Sequence, residues 1–350
     1  MEKKEEFIRV GTTLYKIVDQ PRIDGGYVRK RIAWNSETLR QDYGKDYMAS
    51  VPKYDGFCTV PDHVGYKPVV GKFLNLYEPI SHVPRQGDFP CIRSLVEHIF
   101  GEQYELGMDY LQLLYLYPVQ KLPILLLVSE ERNTGKSTFL NFLKAVFQNN
   151  VTFNTNEDFR SQFNSDWAGK LLIMVDEVLL NRREDSERLK NLSTTLSYKV
   201  EAKGKDRDEI GFFAKFVLCS NNEYLPVIID AGETRYWVRK IVPLQSDDTD
   251  FLQKLKTEIP AFLHYLVNRK LSMLSIEYLV QIHSQEVFTD NIILECREIL
   301  MKIRFAVFRL AGTIALFLCH IVVISISSVR AAVMSSNIML TTSGIRTDAP

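Results

Sequence analysis

The sequence predicts an α/β fold whose core is a mainly parallel sheet, preceded by a small mixed α/β and helical region and followed by helices. Three short runs carry this prediction, because each is apolar throughout and ends in polar residues. They are residues 122–128, 171–175 and 216–219. Strands that are apolar on both faces are typical of parallel sheets covered by helices on both sides. Residues 236–242 are a candidate for a further strand.

The composition limits the classes of protein to consider. The 350 residues carry 43 basic and 43 acidic side chains, and 46% of them are hydrophobic. This apolar fraction excludes a wholly disordered chain, and zero net charge excludes a protein that coats nucleic acid through its overall charge. The five cysteines and six histidines lack the spacing of a zinc site or a disulfide framework, which suits a reducing compartment. The charged N-terminus has no signal-peptide pattern, so we expect a cytoplasmic protein.

The spacing of hydrophobic residues changes along the chain. Residues 7–34 predict a small β meander, and residues 72–77 predict one short strand. Between residues 92 and 117 the helical spacing of apolar residues predicts two helices, broken near Gly101 or Gly107. We therefore divide the chain into a β-containing N-terminal region (1–91), a helical collar (92–118), an α/β core (119–245), a C-terminal helical lid (246–304) and an anomalous apolar tail (305–350).

The tail differs from the rest in composition. Residues 305–350 hold 4 charged side chains, whereas residues 1–304 hold the other 82. Residues 310–329 are an apolar stretch of 20 residues, which is long enough to be a transmembrane candidate. Three interpretations stay open: a membrane anchor, a buried helix pair, or a reading frame disturbed after about residue 272. We nevertheless expect no membrane partner.

A phosphate-binding loop follows the first apolar run. Residues 130–138, Glu-Glu-Arg-Asn-Thr-Gly-Lys-Ser-Thr, precede a predicted helix at 137–147, which is the context of a Walker A loop. Backbone N–H groups and a helix N-terminus converge there on phosphate oxygens. The residues expected to bind ATP are Asn133, Thr134, Gly135, Lys136, Ser137 and Thr138. We expect Lys136 to reach the β- and γ-phosphates and Ser137 to ligate Mg²⁺. Glu130 replaces the first glycine of the motif, and a chance Gly-Lys-Ser is the alternative interpretation.

An acidic pair follows the second apolar run. Asp176 and Glu177 stand at the carboxyl end of a predicted buried strand, where α/β sheets bind ligands. We expect Asp176 to hold Mg²⁺ and Glu177 to orient and deprotonate the attacking water. The alternative is that both are ordinary solvent-facing acids at the end of a strand.

The third run carries a specific resemblance. Residues 216–222, Phe-Val-Leu-Cys-Ser-Asn-Asn, resemble motif C of superfamily 3 helicases, and the three motifs are as compact as in that family. The resemblance covers about residues 120–245 and is closest to the helicase part of phage- and plasmid-encoded primase-helicase proteins. It implies a P-loop NTPase core of the AAA+-like type. It also makes Asn221 the sensor of the γ-phosphate and the lytic water, with Asn222 as the alternative.

The resemblance also implies assembly. Residues 232–239 match the stretch that carries an arginine finger, so Arg235 is the candidate and Arg239 the reserve. Such a finger comes from a neighbouring subunit, which implies a homo-oligomer, expected to be a hexameric ring. The alternative is that Arg235 is a surface residue at the start of a strand.

A hairpin between the second and third motifs is the expected DNA contact. By resemblance, Lys203, Lys205 and Arg207 would hold the backbone of single-stranded DNA in the channel of the ring. Counted from Lys199 to Lys215, five cations face four acids, so a plain solvated hairpin is the alternative. The mixed-charge run at residues 182–188 predicts a solvated helix start, with subunit contacts as the other interpretation.

These expectations combine into an enzyme. Its predicted catalytic residues are Lys136, Asp176, Glu177, Asn221 and Arg235, acting on ATP with Mg²⁺. The predicted function is an ATP-dependent DNA helicase of phage or plasmid replication, with a primase or replication initiator as an expected partner. The first alternative is an AAA+-type ATPase that remodels protein or packages nucleic acid without unwinding. The second is a non-catalytic module, which the Glu130 departure would favour.

Overall fold

The computed structural model describes residues 5–21, 23, 25–160, 167–180, 182–200, 208–222, 226–230, 233–244 and 248–272. The chain divides into two compact units, and all of these residues belong to the first, Met1–Ser284. The predicted tail and the second half of the predicted lid lie outside the described residues. Within the described part, no helix combines the length and the apolar character that crossing a bilayer requires. The apolar stretch at 310–329 lies outside the described residues.

The N-terminal region is a four-stranded sheet backed by two short helices. Its elements are β1 (Glu6–Val10), β2 (Thr13–Pro21), β3 (Tyr27–Trp34), α1 (Ser36–Tyr43), α2 (Tyr47–Ser50) and β4 (Lys53–Tyr54). The first three strands form the predicted antiparallel meander, and β4 pairs in parallel with β1. The sequence analysis missed the helices, although Asn35 caps α1 by accepting a hydrogen bond from the backbone N–H of Glu37 at 2.7 Å. Phe7 and Leu14 lie in the small core of this region.

A three-stranded sheet follows, with β5 (Gly56–Cys58), β6 (Val69–Val70) and β7 (Phe73–Asn75). β7 confirms the strand predicted near residues 72–77. The side chain of Asn75 is buried and bonds to both backbone groups of Val60, at 3.0 Å and 2.9 Å. This pair of bonds holds the long loop between β5 and β6 against β7.

Two helices form the predicted collar, α3 (Pro90–Phe100) and α4 (Tyr104–Leu116). The predicted break lies at Gly101, which has a φ of 52° and begins a short 3₁₀ turn. Gly107 lies inside α4, and a Cβ there would overlap the ring of Phe100. The second glycine therefore permits close packing of α3 on α4 and does not break a helix.

The core contains a five-stranded parallel sheet. The helices and strands of this part of the chain are, in order, β8 (Ile124–Val128), α5 (Lys136–Phe147), β9 (Val151–Phe153), β10 (Leu172–Val175), α6 (Arg183–Thr194), β11 (Ser197–Val200), β12 (Asp208–Gly211), β13 (Lys215–Ser220) and β14 (Tyr236–Lys240). The strand order is β14-β8-β13-β10-β9, with every neighbouring pair parallel. β11 and β12 form a separate antiparallel hairpin. The four predicted strands are confirmed, and the short edge strand β9 was missed.

Side chains of the central strands alternate between two cores. Leu125 and Leu127 of β8 lie in the core shared with α3, α4 and α5. Ile124 and Leu126 lie in the core on the other face, together with Leu189 of α6. All five side chains of β8 are buried. This two-sided burial is why these strands appear in the sequence as continuous apolar runs.

The last described element is α7 (Phe251–Asn268), which belongs to the predicted lid. It is one helix with Pro260 inside it, and the lid predicted to follow it lies outside the described residues from residue 273 onward. The carboxylate of Glu258 accepts hydrogen bonds from the backbone N–H groups of Cys91 at 3.2 Å and Ile92 at 2.9 Å. A carboxylate at the N-terminus of α3 accepts hydrogen bonds from backbone N–H groups that have no partner within the helix, and its negative charge interacts favourably with the helix dipole. Glu258 therefore ties α7 to the start of α3.

Candidate functional site

The loop between β8 and α5 turns through two residues with left-handed backbones. Asn133 has a φ of 54° and Gly135 has a φ of 78°, and Gly135 caps the N-terminus of α5. Glycine adopts this conformation without steric cost, and asparagine is among the few other residues that tolerate it. The first N–H groups of a helix lack partners within the helix and attract anions. This geometry suits the predicted phosphate loop, Asn133 to Thr138.

Lys136 occupies a buried position at the N-terminus of α5. It is the first residue of α5, it is 6% exposed, and its ammonium group donates hydrogen bonds to Ser129 and, at 3.0 Å, to Thr134. A cation at a helix N-terminus faces the positive end of the helix dipole, and burial adds a desolvation cost. A bound phosphate would offset both costs, so the position of Lys136 favours an anion-binding role.

Glu130 does not disturb this loop. Its side chain is exposed. Among the described residues, the non-glycine positions with positive φ are Asn133, Gln148 and Glu177. The backbone at Glu130 therefore needs no glycine, and the carboxylate lies at the solvent.

Two predicted metal ligands meet beside the loop. The hydroxyl of Ser137, in the first turn of α5, donates a hydrogen bond to Oδ2 of Asp176 at 2.7 Å. Asp176 directly follows β10. The described residues contain no group of three or more His, Cys, Asp or Glu side chains suited to a metal. Mg²⁺ commonly takes one or two protein oxygens and completes its shell with phosphates and water, so this pair fits magnesium held jointly with a nucleotide.

Glu177 has an unusual backbone. Its φ is 63°, a left-handed conformation that costs roughly 1–2 kcal/mol for a residue with a Cβ. Its carboxylate accepts a hydrogen bond from Nδ2 of Asn221 at 3.4 Å, and its carbonyl accepts one from Asn156 at 3.3 Å. Strained residues persist where the surrounding fold holds them, and they are concentrated at functional sites. This turn brings the predicted base and the predicted sensor into contact.

Ser220 joins three strand ends, which the sequence analysis did not foresee. Its carbonyl accepts a hydrogen bond from the N–H of Ser129 at 3.2 Å. Its hydroxyl donates to the carbonyl of Val178 at 3.0 Å and accepts from the N–H of Asn222 at 3.1 Å. Ser220 therefore holds the phosphate loop, the acidic turn and the end of β13 in register. A serine after an apolar run is too common in sequences to signal this role.

Arg235 does not join this cluster. Its carbonyl accepts a hydrogen bond from the N–H of Ile124 at 2.8 Å, at the amino end of β8. The cluster lies at the carboxyl end of β8, about 16 Å away at roughly 3.3 Å per residue. The guanidinium of Arg235 donates to Glu233 at 2.9 Å. Arg239, the reserve candidate, donates to the carbonyl of Phe100 at 2.7 Å. Arg235 therefore cannot reach the site of its own chain.

The predicted DNA contacts Lys203, Lys205 and Arg207 lie outside the described residues. Their flanks form the expected hairpin, β11 and β12. Lys215, counted among the cations of this segment, is buried at the start of β13, where it donates to backbone carbonyls. Burial, together with repulsion from Lys121, holds the pKa of Lys215 well below its usual value. Lys215 therefore does not contribute to the charged surface of the hairpin, although it was counted among the cations of this segment.

The predicted solvated helix start at residues 182–188 is correct only in part. α6 begins at Arg183, which is exposed. Asp185 is buried and forms an ion pair with Arg160 at 2.9 Å. The charged run therefore includes an acid that holds α6 to the segment after β9.

Comparison with known proteins gives matches to a family model and to solved structures. A family described only as a family of unknown function (DUF5906) matches residues 127–236. No curated protein matches the sequence. The apo structure of the C-terminal region of NrS-1 (305–718) has a TM-score of 0.61 at 20% identity, covering 81% of this chain and 69% of that chain. The A form of that region has a TM-score of 0.59 at 20% identity, covering 79% and 68%. A ligand-bound JCV helicase has a TM-score of 0.35 at 12% identity, covering 55% and 58%.

The similarity to NrS-1 shows the fold of this chain, a mixed α/β architecture with a five-stranded parallel sheet and flanking helices. The TM-score with JCV helicase is too low to support an argument about this chain.

Proposed function

We propose that this chain is an ATP-dependent DNA helicase with a P-loop core of the superfamily 3 type, acting in phage- or plasmid-like replication. One observation carries the proposal: the phosphate loop, the acidic turn and Asn221 lie at the same carboxyl edge of the sheet. Ser137 contacts Asp176 at 2.7 Å, and Glu177 contacts Asn221 at 3.4 Å. In open α/β sheets, ligands bind at this edge.

Each group has one task in the proposed reaction. Lys136 and the N–H groups of the loop bind the β- and γ-phosphates. Ser137 and Asp176 would hold Mg²⁺, which offsets the charge on the phosphates when it is bound. Glu177 accepts the proton of the attacking water, and Asn221 orients that water beside it. The water oxygen bonds to the γ-phosphorus, the bond to the leaving oxygen breaks, and ADP and phosphate are released.

Arg235 contributes only in an assembly. Because Arg235 lies at the opposite edge of the sheet, it would enter the site of the neighbouring copy in a homo-oligomeric ring, which we expect to be hexameric. There it would exchange Glu233, its partner at 2.9 Å, for the γ-phosphate. Single-stranded DNA would pass through the ring and contact the hairpin that carries Lys203, Lys205 and Arg207. A primase or replication initiator is the proposed partner for loading.

The first experiment measures ATP hydrolysis with and without single-stranded DNA. We expect DNA to stimulate turnover, Lys136→Ala to abolish nucleotide binding, and Asp176→Asn to abolish turnover. Glu130→Gln is the matched control, since the exposed Glu130 should leave both binding and turnover unchanged. Turnover that survives Lys136→Ala would exclude the proposed site.

A mixing experiment tests Arg235. Arg235→Ala alone should bind ATP without hydrolysing it, and Lys136→Ala alone should not bind ATP. In mixed assemblies, a subunit with an intact Lys136 can receive the intact Arg235 of its neighbour, so part of the turnover should return. If Arg235→Ala hydrolyses ATP normally, or if mixing restores nothing, Arg235 is not a finger in trans.

A strand-displacement assay separates unwinding from the predicted alternative, an AAA+-type ATPase that remodels protein or packages nucleic acid. We expect the wild-type protein to separate a forked duplex in the presence of ATP, and we expect the Asp176→Asn variant to fail to do so. ATP turnover without DNA stimulation and without displacement would support the alternative.

A further inference from the structure

The phosphate loop is held from outside the sheet by the collar helix α3. Nε2 of His98, in the last turn of α3, lies 3.0 Å from the carbonyl oxygen of Thr134. A carbonyl oxygen can only accept, so Nε2 carries the hydrogen of this bond. Thr134 lies between the two left-handed residues, Asn133 and Gly135. The imidazole therefore forms a hydrogen bond to the residue that lies between the two left-handed positions of the loop.

The segment after β14 holds the same turn from a second side. The N–H of Leu244 donates to the carbonyl of Asn133 at 2.9 Å. A Cβ on Gly135 would lie 3.6 Å from Leu244 and 3.7 Å from His98, so these two side chains flank the glycine. Two successive carbonyls of the loop thus accept hydrogen bonds from elements outside the sheet.

These bonds set the direction of the loop's donors. A peptide group is planar and trans, so its N–H points away from its own C=O. The carbonyl of Thr134 shares a peptide plane with the N–H of Gly135, which therefore points away from His98. In the same way, the bond from Leu244 directs the N–H of Thr134. Holding the carbonyls keeps these N–H groups in one orientation for an anion.

α3 is itself fixed at both ends. Glu258 of α7 accepts hydrogen bonds from its first turn, and Arg239 donates to the carbonyl of Phe100 at its last residue at 2.7 Å. His98 therefore projects from a helix that is anchored to α7 and to β14.

We propose that His98 is a positioning residue for nucleotide binding, which holds the Thr134–Gly135 peptide with its N–H toward the phosphates. The proposal rests on the proposed function, because it requires a nucleotide phosphate in this loop. The loop contacts phosphate both before and during hydrolysis, so the contribution of His98 is to uniform binding. Loss of uniform binding raises KM and leaves kcat unchanged.

The test compares three variants in ATP turnover and in binding of Mg²⁺-ADP. His98→Leu removes the donor and should raise the KM for ATP and the Kd for ADP about fivefold, with kcat close to wild type. His98→Gln retains a side-chain N–H donor and should recover most of that loss. Glu258→Ala removes the tie at the start of α3, while Arg239 still holds the end of the helix that carries His98. It should therefore lower the thermal midpoint and leave KM unchanged.

The outcomes separate this inference from the proposed function. If the wild-type chain binds neither ATP nor ADP, the proposed function fails, and the role of His98 fails with it. If the wild type binds nucleotide and His98→Leu binds it equally well, only the role of His98 is overturned. An equal rise in KM for Glu258→Ala and His98→Leu would also overturn it, since general loosening of α3 would then explain both.

Discussion

Replacing Glu177 with glycine should make the protein more stable while strongly lowering the proposed ATP turnover. The φ of 63° at Glu177 costs roughly 1–2 kcal/mol for a residue with a Cβ, and glycine removes that cost. Glycine in turn loses about 0.5–1 kcal/mol through its greater freedom in the unfolded chain. The exposed contact with Asn221 at 3.4 Å is long and contributes little. The net gain is about 0–1.5 kcal/mol in the free energy of unfolding.

Urea denaturation of the wild type and two variants measures this gain. Glu177→Gly should shift the midpoint upward, whereas Glu177→Gln keeps the Cβ and the strained backbone and should leave the midpoint unchanged. Both variants remove the carboxylate, so both should lower turnover by about 10²–10⁴-fold, the usual contribution of a general base.

Two results would refute the reasoning. A Glu177→Gly protein less stable than the wild type would mean that the left-handed backbone is not strained. Wild-type turnover in Glu177→Gln would mean that the carboxylate does not act as the base, whatever the stability.

Three further predictions concern the scaffold. Arg269→Met leaves the buried carboxylate of Asp109 without its cationic partner and should lower the free energy of unfolding by about 3 kcal/mol in urea titrations. Burial lowers the pKa of His63, so the unfolded chain binds its proton more readily; stability should be complete above about pH 6.5 and fall as the pH drops below it, which urea midpoints across pH will show. Gly107→Ala forces a Cβ into the ring of Phe100 and should cost about 1–3 kcal/mol, measured by thermal unfolding.

Each of these predictions has its own control. Replacing Asp109 with leucine together with Arg269→Met removes the uncompensated charge, so the double variant should be more stable than Arg269→Met alone. His63→Phe should reduce the loss of stability at low pH, and an unchanged profile would contradict the role of His63. Gly211→Ala meets open space, so it should be nearly neutral; an equal loss at Gly211 and Gly107 would contradict the packing argument.

Much of the central sheet could be predicted from local sequence. β8, β10 and β13 each contain a short run of apolar residues, because both of their faces are buried under helices or loops. β14 ends in Arg239 and Lys240, and only its first two side chains are fully buried. The start of α5 could also be predicted, since Gly135 caps the helix in a left-handed conformation that residues with a Cβ adopt only at a cost. The roles of Lys136, Asp176 and Glu177 in turnover stay predictions.

Short or irregular helices and strands could not be predicted from the sequence. β9 has three residues, Val151–Phe153, and pairs with only one strand, so its sequence shows no sustained apolar run. α1 and α2 are stabilised mainly by covering Phe7 and Leu14 from a different part of the chain. Lys215 is a cation in a strand, and only its contacts with backbone carbonyls reveal that it is buried.

The sequence by itself determined the three central strands β8, β10 and β13 and the polar residues that follow them, because burial on both faces makes nearly every residue of such a strand apolar. The tertiary structure decided which strands are neighbours. The order β14-β8-β13-β10-β9 brings Ser137 to Asp176 and Asn221 to Glu177. Arg235 lies at the opposite edge because it precedes β14, which runs parallel to β8. Strand order depends on hydrogen bonds and packing between segments tens of residues apart, and no local pattern of side chains encodes it.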